Sequence, residues 1–103
     1  MEHMSIEIIT AKIKDKIAMA PPIKAKVKLD FGDDGCVFID ATQSPPTVSN
    51  KDAEADTVLA CKLDVFKAIV NGTQDPTMAY MMGKLKIKGN MGIAMKLNSI
   101  LED

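Results

Sequence analysis

The fold is decided by residues 24–42, which read KAKVKLDFGDDGCVFIDAT. Apolar residues alternate with lysines and an aspartate over residues 24–31. Side chains two positions apart lie on the same face of a strand, so this alternation predicts a strand with one buried face. Residues 32–35 carry a glycine at each end and predict a turn, and residues 36–42 continue as a second strand. The stretch therefore predicts a β-hairpin.

Three more strands are predicted around this hairpin. Ser44-Pro45-Pro46 interrupts the pattern, after which residues 47–50 and 56–62 are predicted as the third and fourth strands. Residues 84–88 alternate apolar residues with lysines and predict a strand near the C-terminus.

Four helices complete the predicted elements. Isoleucines recur at spacings of three and four over residues 6–17, which is typical of an amphipathic helix, and Pro21-Pro22 ends it. The other three helices begin at predicted N-cap residues. These helices follow Asp64 (ending at Asn71-Gly72), Asp75 (through Met82, ending at Gly83) and Asn90.

The order of these elements indicates one α+β domain over residues 1–103, with a mixed or antiparallel sheet faced by helices. Strands do not alternate regularly with helices, so a doubly wound fold is disfavoured. The length, the 47% hydrophobic content and the net charge of −1 fit a single core. Aromatic residues make up only 4% of the chain, so we expect an aliphatic, methionine-rich core.

The sequence lacks the residues that several classes of function require. All thirteen basic residues are lysines, and the missing arginines together with the near-neutral charge argue against nucleic-acid binding. The single histidine, His3, lies at the N-terminus, so no catalytic triad can be built. The glycines match no phosphate-binding motif. Lysines or carboxylates could in principle act as catalytic bases, but the sequence shows no group of them arranged for catalysis. We therefore expect a non-enzymatic protein without a cofactor.

The two cysteines, Cys36 and Cys61, form no CxxC pair and no metal-ligand spacing. We therefore expect free thiols, no metal site and a reducing cytoplasm, although a disulfide between neighbouring strands remains open. No apolar run approaches the length of a membrane span, and the C-terminal Leu101-Glu102-Asp103 is not a peroxisomal address. These features predict a soluble cytoplasmic protein.

Residues 78–101 hold five of the eight methionines among Leu, Ile, Ala and Gly. In the last helix, Gly92, Lys96 and Ser99 form one narrow polar stripe. The rest of the helix surface is apolar and has to be buried against other parts of the protein or against a ligand. Methionine side chains adapt to irregular apolar shapes, which favours binding of an apolar ligand over catalysis on a polar substrate. The alternative interpretation is an ordinary core.

Lysines recur at every second position in residues 24–28 and again in residues 84–88. Either they form a cationic patch for an anionic membrane or an acyl-CoA phosphate, or they are a solvated sheet face that protects an edge. The second interpretation is favoured, because the two rows of lysines would form one cationic patch only if their strands were neighbours in the sheet.

Residues 83–97, GKLKIKGNMGIAMKL, closely resemble the C-terminal signature of the sterol carrier protein type-two family. The resemblance extends to DVFKAIVNG at residues 64–72, to Asp75-Pro76 with Ala79-Tyr80, and to the hairpin around residues 32–40. It covers most of the chain, and residues 64–97 are its specific part. Where the family often has two aromatics and a glutamine, this chain has residues 80–82, YMM, and so lacks an amide for a ligand head group.

The resemblance implies a five-stranded, mainly antiparallel sheet covered by helices and enclosing a hydrophobic tunnel. It also implies non-catalytic carriage of sterols, fatty acids or fatty acyl-CoA, with transient membrane contact, by a monomer or weak dimer. The wall residues carried over by position are Met78, Met81, Met82, Ile87, Met91, Ile93, Ala94, Met95 and Leu97, to which Phe38, Phe66 and Ile69 are added for their apolar type and expected inward direction. The alternative function is a protein-interaction or dimerisation module with an apolar groove.

Overall fold

The computed structural model describes residues 6–21, 23–43 and 45–101. The sequence-based statements on His3, Pro22 and Ser44 fall outside these residues. Five strands are present in the described part of the chain. They are β1 (Lys26–Asp30), β2 (Cys36–Asp40), β3 (Thr47–Ser49), β4 (Thr57–Cys61) and β5 (Leu85–Gly89).

The strands form one sheet in the order β3-β2-β1-β4-β5. The pair β1–β4 is parallel, and the other three pairs are antiparallel. The predicted hairpin is present, and its turn is one 3-10 turn over Gly32–Asp34, in which Phe31 N donates to Gly35 O at 2.9 Å. The α+β class and the mainly antiparallel five-stranded sheet are confirmed.

The parallel pair requires the chain to cross the sheet between β3 and β4. Asp56 fixes the end of this crossing, because its N–H donates to Lys26 O at 2.9 Å and its carboxylate accepts from Lys26 N at 3.0 Å. Asp52 pairs with Lys28 Nζ at 2.7 Å. These contacts place β4 beside β1 with the two strands running in the same direction.

The helices cover one face of the sheet. They are α1 (Ile6–Ala18), α2 (Leu63–Asn71), α3 (Pro76–Met81) and α4 (Met91–Leu101). The buried isoleucines of α1 recur every four residues, so they form one stripe on the helix. That stripe joins a continuous apolar core with the inward residues of the sheet and with α2 and α4. Burial of this face provides most of the stabilisation of the helices.

Two of the three predicted N-caps are confirmed. The Asp75 carboxylate accepts from Met78 N at 3.0 Å, and the Asn90 side chain accepts from Ile93 N at 3.0 Å. The prediction for Asp64 is wrong, because α2 begins at Leu63 and its N-cap is Lys62. Leu63 is buried in the core, and this burial draws it into the first turn. Asp64 then lies in that turn, where the helix dipole favours a carboxylate.

The start of β1 also differs from the prediction. The alternation of polar and apolar residues begins at Lys24, whereas the strand begins at Lys26. Lys24 has a φ of 60°, in the left-handed region that a strand does not use. The chain therefore turns at Lys24 before it enters the sheet.

Candidate functional site

The helix α3 carries its apolar side chains outward. Its residue Ala79 is fully buried, while Met78, Met81 and the following Met82 are 51 to 73% exposed. The three methionines recur at spacings of three and four and so share one side of the helix. The turn after α3 is closed by Gly83, whose φ is +78°, and Lys84 N donates to Ala79 O at 2.9 Å. Local capping thus holds a short helix whose methionines remain uncovered.

A second part of the predicted wall lies along β5 and α4. Ile87, Ile93 and Met95 are half-buried, and Met91, the first residue of α4, is exposed. Ile87 and Ile93 pack against the core from its edge. Because β5 is the last strand of the sheet, its inward face has a neighbouring strand on one side only, and the helices supply the remaining cover. The methionine-rich segment therefore forms a partly open apolar border at this edge.

The other predicted wall residues on the helices lie inside the apolar core. Phe66, Ile69, Ala94 and Leu97 are all buried in the continuous core. A crevice of about 10 Å³ separates α1, α2 and the end of α4, and Phe66 is one of its lining residues. A crevice of this size is too small to hold a lipid chain.

Phe38 lies on the opposite face of the sheet, against the expected inward direction. Its partners in register are Lys28 on β1 and Ser49 on β3, whereas the neighbouring Ile39 faces the helices. Phe38 is nevertheless buried, and the Lys51 ammonium lies 5.4 Å from its ring centroid. It is covered by the crossing segment and does not share a face with the methionines.

A groove of about 660 Å³ opens at one end of the sheet, and none of the twelve predicted wall residues lines it. Asp30, Ala60 and Lys86 lie in register across β1, β4 and β5 and form one side. The other lining residues are Phe31, Gly32, Cys61, Lys62, Val65, Gly83 and Lys84. The groove combines apolar side chains with three lysines and one carboxylate, so it suits an anionic group attached to an apolar one.

The Cys61 thiol in this groove is neutral at physiological pH. Burial, together with the negative charge of Asp30, raises the pKa of Cys61 to about 11, although a hydrogen bond from the Phe66 backbone acts in the opposite direction. Burial also raises the pKa of Cys36, which lies elsewhere on the sheet. Both cysteines are free. Cys61 therefore belongs to the apolar lining and is a weak nucleophile.

This protonation state predicts slow alkylation of Cys61. In a Cys36→Ser chain at pH 8, iodoacetamide should modify Cys61 roughly 100-fold more slowly than free cysteine, because only the thiolate reacts. The rate should keep rising through pH 10, where the rate for free cysteine has levelled off. Mass spectrometry of the timed reaction measures both rates. Equal rates for the two thiols at pH 8 would contradict the raised pKa.

Asn98 is a buried polar residue on the apolar side of α4. It is 3% exposed, and its Nδ2 finds no hydrogen-bond partner among the described residues. An unsatisfied buried amide costs about 1–3 kcal/mol. The spacing from Ala94 to Asn98 and Leu101 places the amide on the core-facing side of α4. The polar stripe predicted for this helix did not include Asn98, so no sequence feature indicated a buried amide.

Replacing this amide is expected to stabilise the protein. Asn98→Leu removes the unsatisfied donor and should raise the free energy of unfolding by about 1 kcal/mol in urea denaturation. Asn98→Ala is the control for size, because it removes the same donor and leaves a cavity, and it should gain less or lose stability. A clear loss in the leucine variant would show that the amide is hydrogen-bonded in the folded protein.

The two lysine rows do not lie on adjacent strands. β4 separates them, and on the face away from the helices Lys28, Val58 and Lys88 lie in register across the three strands.

Within the described ranges, no three His, Cys, Asp or Glu side chains are grouped so that they could hold a metal ion. None of the helices described above has the length and apolar character needed to cross a membrane.

Comparison with known proteins identifies relatives over nearly the whole chain. Residues 8–102 match the model of the SCP-2 sterol transfer family. The chain is 34% identical over 105 residues to the non-specific lipid-transfer protein-like 1 of Caenorhabditis elegans, covering 93% of this chain and 89% of that protein. It is 32% identical to the hydroxysteroid dehydrogenase-like protein 2 of Bos taurus, covering 94% of this chain and 24% of that protein. The chain thus spans about a quarter of the longer relative.

Among solved structures, sterol carrier protein 2 from Aedes aegypti in complex with the C16 fatty acid palmitate superposes with a TM-score of 0.77. The two chains are 18% identical, and the superposition covers 98% of this chain and 96% of that one. At this identity the likeness shows a shared fold. The match over residues 8–102 shows that the chain belongs to the SCP-2 sterol transfer family.

Proposed function

We propose that this chain is a non-catalytic lipid carrier that binds a sterol, a fatty acid or a fatty acyl-CoA along the apolar border formed by α3, β5 and α4. The observation that carries the proposal is the outward position of the methionines on α3, which are 51 to 73% exposed. Flexible, polarizable side chains of this kind can fit ligands of several shapes. The C. elegans relative is named a lipid-transfer protein, and the Aedes aegypti structure contains palmitate, which supports the same function here.

The energetics favour an aliphatic ligand. Each buried methylene contributes about 0.8 kcal/mol, so eight methylenes contribute on the order of 6 kcal/mol before the cost of ordering the ligand. The border offers mostly apolar contacts from Ile87, Ile93 and Met95, which do not distinguish one hydrocarbon from another. We therefore expect broad specificity. The closely packed core beside the border has to open in order to enclose a long chain.

Native mass spectrometry of the purified protein tests this function. Organic extraction then identifies any lipid that is released, and the delipidated protein is titrated with a fluorescent fatty acid that unlabelled lipid should displace. A bound lipid in defined stoichiometry and saturable, displaceable binding are the expected results. A protein that is purified empty and ignores sterols, fatty acids and acyl-CoA would overturn the proposal.

The exposed methionines also favour a second function, in which α3 packs against another protein or a second copy of the chain. The domain spans about a quarter of its hydroxysteroid dehydrogenase-like relative, so it also occurs as one part of a larger protein. Light scattering distinguishes the two functions. A tight dimer without lipid affinity would favour the interaction module, whereas a carrier should be a monomer or a weak dimer.

The two free thiols support a location for the carrier in a reducing cytoplasm. Cys36 and Cys61 lie on different strands, β2 and β4, which are separated by β1. The two cysteines are therefore not on neighbouring strands, which is the arrangement that a disulfide between them would need.

A further inference from the structure

The two edge strands of the sheet differ in how they are protected. The edge strand β3 has only three residues, and the Asn50 side chain just beyond it donates to Thr10 Oγ1 on α1 at 2.9 Å. The other edge strand, β5, has five residues and contains no proline. In the part of the chain that the structure describes, β5 pairs with β4 alone. The free side of β5 therefore presents backbone N–H and C=O groups to which a further strand can bind.

The two faces of β5 carry different side chains. Lys86 and Lys88 are exposed on the face away from the helices, whereas Ile87 packs against the edge of the core. Among the described residues, neither lysine forms an ion pair. Their neighbours in register on β4 are Ala60 and Val58, which carry no charge. Both positive charges are therefore available to a strand that is added beside β5.

The chain itself shows which kind of segment covers such a row of lysines. Residues 52–56, DAEAD, alternate acidic residues with alanines and lie against the lysine row of β1. Asp52 pairs with Lys28 Nζ at 2.7 Å, and the Asp56 carboxylate accepts from Lys26 N at 3.0 Å. The acidic residues of this segment are exposed, while its alanines are half-buried. Alternation of acidic and apolar residues thus complements a strand that carries a lysine row.

We infer that the free edge of β5 binds an extended segment of another protein in which acidic and apolar residues alternate. The backbone of this segment pairs with β5, its carboxylates lie beside Lys86 and Lys88, and its apolar side chains continue the face that Ile87 occupies. The same lysines disfavour a second copy as the partner, because pairing of two β5 edges would bring like charges opposite each other. This edge is separate from the exposed side of α3, and the inference does not depend on the proposed lipid.

The first test uses the full chain and a fluorescently labelled, seven-residue peptide of alternating glutamate and valine. Fluorescence anisotropy should show saturable binding with a Kd below about 1 mM, and a peptide of alternating lysine and valine should not bind. Two further versions of the glutamate peptide carry N-methyl groups, one at its glutamates and the other at its valines. Successive N–H groups of a strand point to opposite edges, so only one of these two versions should bind.

Charge reversal on β5 tests the location of the site. The double variant Lys86→Glu with Lys88→Glu should bind the glutamate peptide about 10-fold more weakly than the parent chain, and it should now bind the lysine peptide. The control variant, Lys12→Glu with Lys14→Glu, makes the same charge change at exposed positions on α1. It should bind both peptides as the parent chain does.

Four results would overturn the inference. They are the absence of glutamate-peptide binding, equal binding of the two methylated peptides, equal effects of the two charge reversals, and a dimer in light scattering that the β5 reversal dissociates. The dimer would make a second copy the occupant of the edge. If the β5 variant does not fold, the methylated peptides decide the question on the parent chain alone.

Discussion

Gly89→Ala is expected to lower the free energy of unfolding by about 3 kcal/mol or more. Gly89 ends β5 with a φ of +93°, a conformation that side chains rarely adopt. A Cβ built at this position would lie 2.2 Å from Asp56 O and 3.1 Å from the Thr57 Cα. Both neighbours are backbone atoms, so the clash cannot be relieved by rotating a side chain. Urea denaturation of the two chains measures the loss.

The clash affects two elements at once. Gly89 is the register partner of Thr57 on β4, and the Thr57 hydroxyl accepts a hydrogen bond from Asn90 N at 3.3 Å, just before α4. Gly83→Ala is the matched control, since its φ is +78° but no atom lies within 4 Å of the added Cβ. It should cost about 1 kcal/mol, from backbone strain alone. Similar losses in both variants would show that β4 moves away from the added methyl group.

Features that depend on a few neighbouring residues were predictable from the sequence. Asp75 and Asn90 cap their helices because the N-cap hydrogen bond joins residues three apart. The hairpin follows from alternation and two glycines in the same way. Asp64 shows the limit of such reasoning, because burial of Leu63 moved the start of α2 by a contact outside the local sequence.

Strand order was not predictable in the same way. Nothing in residues 56–62 shows that this strand inserts between β1 and β5, yet that insertion creates the groove by bringing Asp30, Ala60 and Lys86 together. The lysine rows could be recognised from their period, but their separation by one strand depends on the parallel pairing of β1 with β4. The groove was therefore missed.

Apolar type alone did not fix the direction of each candidate side chain. Residues 37–39 are all buried, so β2 has no polar–apolar alternation from which the direction of Phe38 could be inferred. The methionines of α3 are a similar case, because their helical spacing fits a core stripe as well as an exposed one. The structure leaves them exposed because Ala79 on the other side of the helix is the residue that packs.

Met95→Glu is expected to weaken the binding of a fluorescent fatty acid by about 100-fold, or about 3 kcal/mol. Met95 is half-buried on α4, in the part of the proposed wall where a ligand chain would leave water. A carboxylate there must either lose its hydration against the chain or keep water in the site. In the free protein the glutamate can reach solvent, so the free energy of unfolding should change by about 1 kcal/mol or less. Fluorescence titration and urea denaturation of the same preparation separate the two effects.

Met19→Glu is the matched control, because it makes the same chemical change at a methionine that is 89% exposed beyond the end of α1. Its fatty-acid binding should equal that of the parent chain. Met82→Lys extends the test to α3, where an opposite charge in the same wall should also abolish binding while the fold persists. If Met95→Glu unfolds the protein, Met95 is a core residue rather than part of a wall. If the variant folds and binds as the parent does, the lipid chain does not contact α4, and the wall has to be sought on the other side of β5.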